Sequence, residues 1–521
     1  MEPALLHERV ALSAHARPSA RAVVMGSQAL TYEELEGMSN QLARLLLERG
    51  LTRGDRVALL QPKAPMAIVS MLATLKAGGV YVPLDIASPA VRVQKILASA
   101  EPRMVLACAK ASKLADELDL ASTELGSVEG TLERAAFGPR TLSGFDAGPL
   151  TSTTGPADPA HILFTSGSTG TPKGVVITHA MVSAFLDWAL EYFGHQPGER
   201  ISGHPPLHFD LSTFDIYGTL SSGAELHLVP PGTLLPAQLA RFIRDSELTQ
   251  WFSVPSTFAY MVSGDAIEEG DFASLRRVIW CGEVLAPAVL AHWMARVPQA
   301  TYTNLYGPTE ATIASSFHTV TSAPLDTSAP IPIGAPCAGE DIKVLDEQLG
   351  SVAPGEIGEL YIEGAGLSPG YWREEEKTAA AFITHPESGA RLYRTGDLGR
   401  ADEHAVLHYV GRVDSQIKSR GYRIELGEIE TALSAVDGVA ECAVVAVQSD
   451  GFEGASICCA WAPRVGAQLD RLKLRGALAE TLPSYMLPTQ WLELESLPRN
   501  VSGKADRRLL KERFAALSND E

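Results

Sequence analysis

Between the apolar runs Ile162-Leu163-Phe164 and Val175-Val176-Ile177 lie Thr165, Ser166, Gly167, Ser168, Thr169, Gly170, Thr171, Pro172, Lys173 and Gly174. Both runs have strand length, so the intervening residues form a loop. Glycines let several backbone N–H groups converge on one point, the hydroxyls add short donors, and Lys173 adds a full charge. The stretch is suited to an oxyanion, and a triphosphate is the obvious guest. A Gly/Ser linker or a plain turn is the alternative reading of the composition. The common G-x-x-x-x-G-K-[ST] nucleotide loop is excluded because Gly174 follows the Lys.

Four more places carry candidate chemistry. In His208-Phe209-Asp210-Leu211-Ser212-Thr213-Phe214-Asp215, an acid sits among apolar positions, where a carboxylate is costly unless paired; a helix N-cap is the simpler role for Asp210. Asn304-Leu305-Tyr306-Gly307-Pro308-Thr309-Glu310 reads as a tight turn. It suits adenine stacking on Tyr306, amide recognition by Asn304, and Mg²⁺ on Glu310 with help from Thr309, against a solvated Gly-Pro turn. Asp397 in Thr395-Gly396-Asp397 can accept two O–H donors side by side. Lys504 lies in a Gly-containing loop, where a Lys is ordinarily a solvated charge.

The elements that must position these residues follow from periodicity. Thr31 and Glu34 form a capping box for a helix that Gly50 can end, and Leu35, Met38, Leu42 and Leu45 recur on one face. Arg56–Leu60 and Gly79–Leu84 read as strands around a helix from Met66 to Leu75. Alternating strands and helices predict parallel sheets flanked by helices. Strands are also expected at Val278–Glu283 and Gly358–Ile362, the latter continuing through Gly364 to Trp372. Texture changes after Gly411-Arg412-Val413-Asp414. Helices at Gly427–Ser434 and Leu469–Glu480, with strands at Cys442–Val447, Ser456–Ala462 and Trp491–Leu494, then give an α+β pattern. The expected domains are therefore 1–412 and 413–521.

A chain of 521 residues exceeds what one core usually serves, so more than one domain is expected. Net charge −19 without a basic block disfavours nucleic acid or an anionic membrane as partner. The six cysteines show no metal-ligand spacing, and no stretch approaches a membrane span or a signal peptide. A cytoplasmic small-molecule enzyme is the expectation.

The loop from Thr165 to Gly174, the Tyr306-Gly307-Pro308-Thr309-Glu310 block, Asp397 and the Lys504 segment together resemble adenylate-forming enzymes. Within that superfamily the chain, from about Leu5 to Leu510, resembles a free-standing adenylation domain of the nonribosomal peptide synthetase type. The Trp280-Cys281-Gly282-Glu283-Val284-Leu285 segment also resembles D-alanine carrier-protein ligases. The resemblance implies an α/β fold: a large N-terminal domain of parallel-type sheets with flanking helices and a small β subdomain, followed by a small mobile α+β C-terminal domain.

It further implies ATP binding by Thr165, Ser166, Gly167, Ser168, Thr169, Gly170, Lys173, Asn304, Tyr306, Gly307 and Thr309, with Asp397 on the ribose and Arg412 on the nucleotide. Catalysis falls to Lys504, Lys173, Thr165 and the Mg²⁺ ligand Glu310, and Asp414 is the hinge. Asp210 is implied to pair with a substrate ammonium, in a pocket of Leu211, Phe214, Ser253, Ile279, Cys281, Gly282, Leu305, Ile313 and Ala314. Without a second charge, that set implies a small neutral amino acid. Alanine is the leading candidate, with serine, glycine, cysteine and proline also open.

The implied reaction forms aminoacyl-AMP and pyrophosphate, then acylates the phosphopantetheine thiol of a separate carrier protein. A small activator protein is a further candidate partner. An acyl- or aryl-CoA ligase would not need Asp210. A binding protein that had lost catalysis would not be expected to keep Lys504, Asp397 and Glu310 together.

Overall fold

The computed structural model describes residues 5–120, 123–167, 170–233, 235–324, 329–448, 455–500 and 504–519. Two compact units emerge: Met1–Ile86, Leu97–Phe164 and Gly174–Gly411 form one, and Ala87–Ile96, Thr165–Lys173 and Arg412–Glu521 the other.

Three sheets organise the first unit. A six-stranded sheet runs in the order Glu124–Glu129, Met104–Cys108, Arg56–Leu60, Val80–Pro83, Pro159–Thr165, Lys173–Thr178. Its first five strands pair in parallel. Strands such as Val80–Pro83 and Met104–Cys108 are buried at every residue, which is why they read as unbroken apolar runs. The capping box forms as expected: Thr31 accepts from the Glu34 amide, and Glu34 Oε2 accepts from the Thr31 amide at 2.8 Å. That helix spans Tyr32–Glu48, while Pro65–Lys76, with no polar face, is buried almost throughout.

The nine-stranded sheet is mixed. From Thr301–Tyr306 it passes through Arg277–Cys281, Gln250–Ser253, Arg200–Gly203 and Glu225–Leu228 to Arg21–Met25, all parallel, with antiparallel strands at both edges. A smaller antiparallel sheet holds Glu340–Leu345, Gly358–Gly364, Arg391–Ala401, Phe382–Thr384 and Leu407–Arg412.

Two expected boundaries shift. The strand expected to run to Trp372 stops at Gly364, where φ is +154° and an added Cβ would lie 2.6 Å from Gly339 O. Asn304 and Tyr306 belong to a strand rather than to a turn; the turn begins at Gly307. There an added Cβ would meet Ala314 Cα at 2.6 Å, so only glycine allows this approach.

In the second unit, Val439–Gln448, Ala455–Pro463 and Gln490–Glu493 form a three-stranded sheet between helices Leu426–Ser434, Arg471–Ala479 and Arg507–Asn519. The last helix begins at Arg507. Leu510 and Phe514, four residues apart, secure it by burial against Ala443, Val445, Cys458, Ala460 and Leu497. Among the described residues, no helix is long and apolar enough to cross a membrane.

Candidate active site

In an open α/β sheet, ligands bind beyond the carboxyl ends of the parallel strands. Gly203, Ser253, Cys281 and Tyr306 close four such strands in the nine-stranded sheet. Side chains alternate faces along each strand, and register therefore decides which of them share a wall. Phe252 pairs with Ile279, and Cys281 with Leu305. These four join Leu211, Phe214, Ile313 and Ala314 in one buried apolar cluster.

Ser253 does not reach that wall. It pairs with Trp280, faces the other side of the sheet, is fully buried, and bonds His204 Nδ1 at 2.9 Å. Phe252 takes the place expected of it. From sequence the two were one residue apart, and a one-residue slip exchanges the faces.

Gly282, just past its strand, has φ +96°, a conformation that suits glycine. Thr312 and Ile313 also have positive φ, at 56° and 71°. Such a backbone costs a β-branched residue roughly 1–3 kcal/mol and is characteristic of functional sites.

Asp210 precedes the short helix Leu211–Thr213, yet its side chain makes no capping hydrogen bond and its backbone is already helical. Asp210 Oδ2 instead accepts from Thr309 Oγ1 at 2.7 Å. The helix continues as a π turn over Phe214–Gly218, a form common at functional sites.

The nucleotide-type residues form a bonded chain. Tyr306 donates to Asp397 Oδ2 at 2.7 Å, and Asp397 N donates to Thr395 Oγ1 at 2.9 Å. Burial and the Asp397 charge hold the Tyr306 phenol well above its ordinary value. Asn304 Nδ2 donates to Pro332 O at 2.8 Å. Glu310 is fully buried; Oε1 accepts from Tyr371 O–H at 2.8 Å, and its carbonyl accepts from Ser368 N. Neither Tyr371 nor Thr395 had a role assigned from sequence, because only packing shows that Tyr371 bonds the Glu310 carboxylate and Thr395 the Asp397 backbone.

No cluster of three or more metal-ligating side chains exists among the described residues. Mg²⁺ typically takes one or two protein carboxylates, with phosphate and water filling its shell. Glu310, whose Tyr371 partner is a neutral hydroxyl, fits that role.

In the second unit, Thr165 Oγ1 is buried without a hydrogen-bond partner among the described residues, consistent with a donor held for a phosphate. Thr165 ends one strand and Lys173 begins the next, so the open loop is shorter than the sequence suggests. An added Cβ on Gly167 would lie 2.2 Å from Thr171 O. Ser166 Oγ donates to Arg423 O at 2.6 Å, and Gly170 N donates to Gly167 O at 3.0 Å. Ser168 and Thr169 lie outside the described residues. Arg412 and Asp414, the expected nucleotide and hinge residues, form a bidentate pair with both contacts at 2.8 Å. Burial works against the Asp414 charge, but Arg412 holds its carboxyl below the usual range. Lys504 is exposed, and its amide donates to Asn500 Oδ1.

A family model described as AMP-binding enzyme matches residues 10–372, and its C-terminal domain model matches 428–504. The chain belongs to the AMP-binding enzyme family. It has the adenylate-forming fold and is an adenylating ligase of the nonribosomal peptide synthetase type. It is 37% identical to an L-proline--[L-prolyl-carrier protein] ligase of Streptomyces coelicolor, over 95% of this chain and 94% of that protein. It is 35% identical to bacitracin synthase 3 of Bacillus licheniformis, over 99% of this chain but 8% of that synthase. Among solved structures it resembles the Vibrio cholerae adenylation domain AlmE in complex with glycyl-adenosine-5'-phosphate, at 26% identity and TM-score 0.85 over 98% of each chain. Enzymes of this family use ATP with Mg²⁺.

Proposed function

We propose that this adenylation enzyme activates a small neutral α-amino acid as its aminoacyl adenylate and passes the acyl group to the phosphopantetheine thiol of a carrier protein. One observation carries the reading: Asp210 caps no helix and is bonded to Thr309 of the Tyr306-Gly307-Pro308-Thr309-Glu310 segment. A carboxylate so placed has a substrate ammonium as its natural counter-charge, next to the turn assigned to the nucleotide. Aryl and fatty acids have no such group.

The substrate carboxylate attacks the α-phosphorus in line, and pyrophosphate leaves. A carboxylate is already ionised near neutral pH, so no general base is required. The demand is charge neutralisation as negative charge grows on the phosphoryl oxygens. We assign it to Lys504, Lys173 and the Thr165 hydroxyl, with Glu310 holding the Mg²⁺ that would neutralise phosphate charge. Asp397 takes the ribose, and Tyr306 with Asn304 the adenine. Arg412 contacts the nucleotide, and Asp414 is assigned as the hinge for the second half-reaction.

The apolar wall of Leu211, Phe214, Phe252, Ile279, Leu305 and Ile313 supports a small side chain without charge. Alanine and proline fit best, since the Ser253 hydroxyl is engaged by His204. The proline-loading relative and the glycyl adenylate in the Vibrio structure are of the same size class.

Amino-acid-dependent ATP–pyrophosphate exchange across the proteinogenic set plus D-alanine tests this. Exchange with a small neutral amino acid is expected. Silence with all of them, together with exchange on aryl or fatty acids, would establish the CoA-ligase chemistry instead.

A further inference from the structure

Lys63 has no part in the chemistry above, yet its surroundings are unusual for a lysine. It follows the strand Arg56–Leu60 and is half-buried, with its ammonium enclosed by main-chain oxygens. Nζ donates to Gly203 O at 2.6 Å, to His204 O, and to Pro205 O at 3.4 Å. Three successive carbonyls at the end of one parallel strand thus converge on one cation. Burial pulls the ammonium down to about 7, and the Asp215 charge opposes that pull. Asp215 is itself fully buried. Burial pushes its carboxyl well above the ordinary value, and the Lys63 charge and a hydrogen bond from the His204 backbone oppose that push.

Residues 203–205 open a segment that passes through Asp210 and enters the helix carrying Leu211, Phe214 and Asp215. The Lys63 ammonium therefore holds the start of this segment through the carbonyls of 203–205. The His204 ring fastens the entry a second time, through Ser253 and a tilted contact with Trp251 at 4.9 Å. Within this segment Asp210 Oδ2 accepts from the Thr309 hydroxyl. The geometry of such a site depends on groups that lock its flanks.

We propose that Lys63 is a positioning residue for amino-acid recognition: by holding the carbonyls of 203–205 it fixes the entry of the segment that carries Asp210 and so sets where the Asp210 carboxylate stands. This rests on the assignment of Asp210 to the substrate ammonium. Lys63 touches neither nucleotide-type residue of the Tyr306–Asp397 chain, so its loss acts on one substrate and not on the other.

The test is pyrophosphate exchange by the enzyme and its Lys63→Met variant, which keeps an unbranched apolar stem and removes every donor. Michaelis constants are measured separately for ATP and for the best amino acid. Lys63→Met is expected to raise the amino-acid constant by about tenfold or more, with the ATP constant within about twofold. Lys63→Gln, which retains an N–H donor of shorter reach, is expected to fall between the two, and it replaces Lys63→Met under the same criteria if that variant does not fold. Constants that rise together, or that both stay unchanged in a folded variant, overturn the proposal. If the unsubstituted enzyme exchanges with no amino acid, the functional reading itself fails, and this proposal with it.

Discussion

Thr309 Oγ1 donates to Asp210 Oδ2 at 2.7 Å, across 99 positions of sequence. The bond joins the residue assigned to the substrate ammonium with the turn assigned to the nucleotide. A hydroxyl is a suitable partner, because its hydrogen bond orients a carboxylate without adding a compensating charge.

Asp210→Asn keeps the shape and removes the charge. Amino-acid KM in pyrophosphate exchange is expected to rise on the order of 100-fold, the usual scale for losing one partner of a partly buried charge pair. ATP KM is expected to hold. Thr309→Ser should retain more amino-acid affinity than Thr309→Val, because only the serine keeps the donor.

Lys504 is exposed, so truncating it costs little stability. Lys504→Ala is expected to lower the adenylation rate on the order of 100- to 1,000-fold, the loss typical of one charge-stabilising contact. Its melting temperature should match the parent enzyme. Single-turnover adenylate formation near the parent rate would remove Lys504 from the reaction.

Gly307 admits no side chain, since Cβ would sit 2.6 Å from Ala314 Cα and 2.8 Å from Ser315 N, both backbone atoms. Gly307→Ala is expected to destabilise by about 1–3 kcal/mol. Exchange activity should fall as well, because the displaced segment carries Ala314 and Ile313. Urea titration and exchange on the same preparation read both effects.

Burial pushes the Glu340 carboxyl up to about 7, although Oε1 accepts from Gly366 N at 2.7 Å; Oε2 is buried without a partner among the described residues. The folded form therefore holds a proton that the unfolded chain releases above its ordinary value of 4.5. This contribution is present at low pH and is lost as pH rises through about 7. Glu340→Gln is expected to raise the urea midpoint relative to the parent at alkaline pH, and the gain should shrink toward pH 5.

Burial, aided by the His179 charge, drives His161 down to about 3, and burial and the Lys63 charge do the same to His204. Their ordinary value is 6.5, so between these limits the unfolded chain binds more protons. Stability should then fall as pH drops from 6.5 toward 3. His161→Phe, which preserves the stack on Tyr81 at 4.9 Å, is expected to flatten that slope in urea titrations at several pH values.

Local chemistry decided much of this protein before any fold was known. The Thr31–Glu34 capping box, the buried strands on either side of Thr165 to Gly174, and the β-strand and helix pattern after Arg412 depend on neighbours a few residues away, so periodicity reports them directly. The candidate site residues were legible as residue types for the same reason. What they bond to was not. Whether Asp210 caps a helix or meets Thr309, whether Ser253 or Phe252 faces the apolar wall, and that Tyr371 holds Glu310 are matters of register and long-range packing. A strand's two faces differ by a single residue of slip, and hydrogen-bond partners 60 to 100 positions apart leave no local trace. Lys63 shows the limit most plainly. In sequence it is an isolated cation, and only the tertiary fold brings three carbonyls to bear on it, because the ammonium requires them once it leaves water.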